Sequence, residues 1–120
     1  MLSRPGLAVV ALMCCTDLAS AAAAGNLSPQ DIKATFGTGD VFTATSPGGT
    51  VYHIVLKPDG SASRTPKNSS AAVVGTWRLS DNGYCSTWGK NPESCYTIQQ
   101  SGTKYTVLDK KGSVAAHWSK

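Results

Sequence analysis

Beyond residue 24, the side chains able to do chemistry are few: His53, His117, Cys85, Cys95, scattered serines, and the carboxylates Asp31, Asp40, Asp59, Asp81, Glu93 and Asp109. A structural zinc site takes about four Cys or His ligands at close spacing, and two isolated histidines do not supply it. A serine nucleophile needs a base within hydrogen-bond reach. No G-x-S-x-G elbow is present, and a serine such as Ser86 has no histidine fixed beside it by sequence. A glycosidase-type acid pair would have to come from six carboxylates, of which Asp59, Asp81 and Asp109 fall where tight turns are expected. The sequence therefore assigns no catalytic residue, no metal ligand and no cofactor, and a non-enzymatic role is the expectation.

What remains is a pair of cysteines whose meaning depends on the compartment. Arg4, an apolar run from Leu7 to Cys15 and a small-residue tract over residues 19–24 with A-x-A options have the composition of an export signal. The apolar run is shorter than the ~20 residues that cross a bilayer as a helix, so a cleaved signal is expected and no stable membrane anchor. A lipoprotein is disfavoured because Met13 precedes Cys14, where lipid-attachment signals prefer small residues. Residues 1–24 are thus expected to be removed, leaving residues 25–120 as a single domain in the periplasm or outside the cell. Of the four cysteines, Cys14 and Cys15 leave with that segment; Cys85 and Cys95 stay and should form a disulfide in an oxidising compartment.

The net charge of +4 is mild, and the cations are scattered except for Lys110 and Lys111. No basic stripe interleaved with aromatics appears, and a nucleic-acid partner is not expected.

The elements that position these residues are mostly strands. Ser28 as N-cap, Pro29 at the first helical position, Asp31 in the first turn and Gly37 as a stop predict one short helix, with Ile32 and Phe36 four apart on its buried face. Residues 41–45, 50–57, 61–65, 72–80, 84–88, 95–100, 104–108 and 113–118 predict strands, with turns at Pro58-Asp59-Gly60, Asp81-Asn82-Gly83 and Ser101-Gly102. Asn82-Gly83 is expected to use positive φ. Such close, regular spacing leaves no room for crossover helices and predicts an all-β antiparallel meander of about eight short strands, closing as a small barrel or folding as a sandwich. If Cys85 and Cys95 face each other across a hairpin, alternation puts Thr87, Thr97 and Gln99 on their side. Tyr84, Ser86, Trp88, Tyr96 and Ile98 then lie on the other, buried side.

Gly39-Asp40, Pro58-Asp59-Gly60, Gly75-Thr76-Trp77-Arg78, Asp81-Asn82-Gly83, and Cys85 to Trp88 with Cys95-Tyr96 together resemble a group of small exported bacterial domains of unknown function. The resemblance covers roughly residues 28–108 and its elements are structural. It implies the β fold and an envelope or extracellular location, and it carries over no catalytic residue. The closing Ala115-Ala116-His117-Trp118 departs from that pattern.

The chain is rich in tryptophan and tyrosine for its size. Most are expected in the core, while Trp88, Tyr96 and Arg78, the last as a buried polar anchor beside Trp77, are the candidate binding residues. The expected role is a binding module, taking either an envelope or secreted protein or a small apolar ligand as partner. The disulfide-braced loop at residues 89–94 would suit an inhibitor of an envelope or secreted enzyme. A barrel interior would suit a small apolar-ligand carrier. A hydrolase without a recognisable motif, and a structural protein associating through a free edge at residues 113–118, are the remaining alternatives.

Overall fold

A computed structural model describes residues 25–120; the expected export signal lies outside the described residues. The described residues form one short helix, α1 (Pro29–Phe36), followed by eight strands: β1 (Val41–Thr45), β2 (Val51–Leu56), β3 (Ser61–Pro66), β4 (Val73–Leu79), β5 (Tyr84–Trp88), β6 (Ser94–Ser101), β7 (Lys104–Leu108) and β8 (Val114–Ser119). Each strand pairs antiparallel with the next, and β8 pairs with β1, so the sheet closes as a barrel. That decides between barrel and sandwich. It also removes the free edge expected at residues 113–118: β8 is paired with β7 on one side and β1 on the other, and closure leaves no sheet edge among the described residues.

Alternation does the rest. Phe42, Ile54, Leu56, Ala62, Trp77, Tyr84, Trp88, Ile98, Val107, Ala116 and Trp118 turn inward and are buried, and an eight-stranded barrel is just wide enough for such side chains to fill. Their sequence neighbours, threonines, serines, charged residues and both histidines among them, turn outward. The register of the β7–β8 pair shifts between Val107 and Leu108.

The helix is held as its sequence indicates. Ser28 Oγ accepts the Asp31 N–H at 3.1 Å, Pro29 opens the first turn, and the Gly37 N–H donates to the Ile32 and Lys33 carbonyls. On the near side the Leu27 N–H donates to the Ile98 carbonyl at 2.8 Å; on the far side the Gly39 N–H donates to the Leu56 carbonyl at 2.9 Å. So tethered to β6 and β2, α1 lies across one end of the barrel and drives Ile32 and Phe36 into it, both fully buried. Phe36 meets Phe42, Tyr105 and Trp118 at centroid distances of 4.7, 4.8 and 5.0 Å. One end is therefore plugged.

Cys85 and Cys95 are directly opposed across β5 and β6 and are bonded, ten residues apart in sequence. The bond sits on a thinly paired stretch, because β5 and β6 share three register positions. Closing a loop of this size contributes about 2.8 kcal/mol in the chain-entropy account.

The Asp81-Asn82-Gly83 turn corrects one expectation. Gly83 is not among the positive-φ glycines, unlike Gly60 in the preceding hairpin at φ 90°. Glycine is required at 83 by contact: a Cβ there would fall on the Tyr96 carbonyl oxygen.

Candidate functional site

In an antiparallel meander the connections β1–β2, β3–β4, β5–β6 and β7–β8 all lie at one end, opposite α1. That end is open. Just inside it is a cavity of about 200 Å³ walled by Tyr52, Arg64, Tyr84, Ser86, Trp88 and Tyr96, with Ile54, Val107, Ala116 and Trp118 deeper.

Each wall residue is placed by register. The β2–β3 turn sets Leu56 opposite Ala62 and hence Ile54 opposite Arg64, so arginine takes an inward position on a strand of small residues. Gly75 opposite Trp88 leaves space against β4, into which the Trp88 ring settles. The Arg64 guanidinium lies 4.6 Å from the centroid of that ring, a cation–π stack. The Trp88 Nε1–H donates to Ser86 Oγ at 3.1 Å, and Ser86 is itself buried. Tyr84 stands between Tyr96 and Trp118, at centroid distances of 5.3 and 5.7 Å.

Two polar groups in and beside the cavity lack a protein partner. The two ion pairs among the described residues use Arg78 and Lys120, leaving Arg64 without a carboxylate. The Trp118 Nε1–H is the buried side-chain polar atom among the described residues that has no hydrogen-bond partner. An indole N–H can only donate, and leaving such a donor dry costs about 1–3 kcal/mol.

Burial, reinforced by Tyr96 and Tyr52, lifts the Tyr84 phenol well above its ordinary value, with Arg64 pulling weakly the other way. Burial raises Tyr52 as well, again opposed by Arg64. Because the folded value exceeds the unfolded one, the protonated phenol is the form the barrel favours. The associated stability is complete below about pH 10 and is lost as the pH rises toward the folded value. An ultraviolet titration of the folded protein should show Tyr84 silent where ordinary tyrosines ionise, appearing only with alkaline unfolding. Four tyrosines ionising together in the folded barrel would contradict this environment.

Of the candidate binding residues, Trp88 and Tyr96 line the cavity. Arg78 does not, and its expected burial is corrected. Alternation turns it outward beside inward Trp77, and its Nε and Nη2 donate to both oxygens of Glu93 at 2.9 and 2.8 Å, which lowers the Glu93 carboxyl from its usual range. His53 and His117 are exposed on the outer face, the latter beside Thr106 at 3.3 Å, and neither makes an ion pair with a carboxylate among the described residues. Asp59 and Asp109 cap their own turns, Asp59 accepting from Ser61 and Asp109 from the Lys111 and Ser113 N–H groups. Cys85, Glu93 and Cys95 have metal-ligating atoms close together, but the sulfurs are bonded to each other and the carboxylate is held by Arg78. Sequence reasoning gives Arg64, Tyr52 and Trp118 no binding role and places Tyr84 and Ser86 only as inward-facing residues.

Searches with the chain against family models, curated proteins and solved structures find no match.

Proposed function

We propose that this chain is exported and acts as a non-enzymatic binding module that takes a small molecule into the open end of its barrel. The observation that carries the reading is the cavity opposite the plugged end, partly enclosed, aromatic-walled and holding an arginine without a carboxylate partner. Pockets of this kind, apolar walls with a few convergent polar groups, are where small ligands bind. Export is supported by the disulfide, which persists in oxidising compartments.

Three indole N–H resonances allow a direct test. Trp88 and Trp118 line the cavity, whereas the Trp77 Nε1–H is tied to the Lys57 carbonyl at 2.8 Å near the plugged end. Titration with a fragment library should produce compounds that move the Trp88 and Trp118 signals and leave Trp77 in place. A library that moves none of the three, together with native mass spectra free of any adduct, would remove the reading.

A further inference from the structure

The donors and charges of this cavity narrow its ligand, on the reading that the barrel binds a small molecule. We infer that it takes a small planar carboxylate bearing a second oxygen acceptor at its far end.

Charge is the first reason. Loops of the open end carry Lys67, Lys90, Lys110 and Lys111 against Glu93 and Asp109, and both acids are engaged, by Arg78 and by the Asp109 turn. The plugged end instead matches Lys33, Lys57, Lys104 and Lys120 with Asp31, Asp40, Asp59 and Asp81. The open end is thus the positive pole of the molecule, and it draws anions toward the cavity.

Arg64 is the second. A guanidinium held over an indole in a cation–π contact still has N–H donors to offer an acceptor. The outer surface shows the fork that results: Arg78 grips both oxygens of Glu93. Arg64 has the same fork and no carboxylate of its own, so the ligand supplies one.

Depth and volume set the rest. Beyond the arginine the polar groups are donors: the Ser86 hydroxyl, whose oxygen already accepts from Trp88, and the Tyr84 phenol, kept protonated. Both hydroxyls can donate to an acceptor carried to this depth. A cavity of about 150 Å³ holds a benzene ring, so the 200 Å³ here fits a ring with a carboxylate, about ten non-hydrogen atoms. The flat surfaces of Trp88 and Tyr96 favour an aromatic or heteroaromatic ring between the two polar ends.

The test uses 4-hydroxybenzoate, its neutral counterpart 4-hydroxybenzamide and the cation 4-hydroxybenzylamine, followed on the indole signals and by calorimetry. The benzoate should bind about tenfold or more tighter than the amide, and the amine should not bind. Arg64→Gln should erase the preference for the anion while leaving the amide's affinity in place; Arg64→Lys should recover only part, since it keeps charge but loses the fork. An unmoved Trp77 signal reports that each variant is folded. Equal affinity for benzoate and amide, or an Arg64→Gln barrel that still prefers the anion, overturns the carboxylate assignment. So does silence with the benzoate at millimolar concentration. If neutral fragments still move Trp88 and Trp118, the binding reading stands without it; if nothing moves them, both fall.

Discussion

Replacing Phe36 by alanine should destabilise the domain by about 4 kcal/mol, within the range found for truncating a buried phenylalanine. The residue is fully buried, and its ring is what α1 contributes to Phe42, Tyr105 and Trp118. A domain of ~95 residues has roughly 5–15 kcal/mol in all, so the loss is a large share of it. The melting temperature should fall by on the order of 20 °C. Val41, more than half exposed on β1, provides the comparison: its change to alanine should alter stability by less than about 0.5 kcal/mol. Urea unfolding of both variants checks the pair. A Phe36→Ala protein as stable as the parent would mean that the helix does not seal the barrel. Because Trp118 packs on Phe36 and also lines the cavity, the variant should loosen the cavity from below and broaden the Trp118 indole signal.

Gly75→Ala should cost about 3 kcal/mol, the upper part of the range for overpacking. A Cβ at this position would fall on the Thr87 carbonyl oxygen and lie 2.8 Å from Trp88 Cε3. The carbonyl belongs to the β4–β5 ladder and cannot swing aside, so the two strands must part or the indole must move. Either outcome shifts the ring on which Arg64 rests, and the variant should lose ligand response as well as stability. Circular dichroism melts and the Trp88 indole signal report the two effects separately. An unchanged melt with an unshifted Trp88 signal would show that β4 and β5 are not so tightly apposed.

Much of this frame was readable from residue types. Helix capping from Ser28 to Gly37, and β1, β5 and β7 to the residue, followed from local rules, while the inward set Tyr84, Ser86, Trp88, Tyr96 and Ile98 needed the Cys85–Cys95 pairing to choose the face. Barrel closure was not readable, because the pairing of β1 with β8 depends on accumulated twist and stagger, to which no single residue testifies. Arg78 was misjudged through its neighbour. Trp77 and Arg78 are adjacent, and in a strand adjacency means opposite faces. Arg64 carried a usable signal: once the turn after Lys57 sets Leu56 opposite Ala62, the same parity brings arginine inward opposite Ile54. An inward charge among small residues is the kind of local disagreement that marks a site. Trp118 carried none, since its lack of a partner emerges only when the core is assembled.

Every strand pairing but one joins neighbours in sequence, and the exception, β1 with β8, is a seam of three register positions. Hairpins can form early and cheaply in entropy, but the seam must wait until the remaining strands are in place, since it links the two ends of the folded chain. Until then Ala44 and Trp118, opposed across that seam, face water along two raw strand borders. The final fastening, completed on the outside by Lys120 gripping Asp40 at 2.7 Å, is therefore the step at which a newly made molecule is most open to sticking to another.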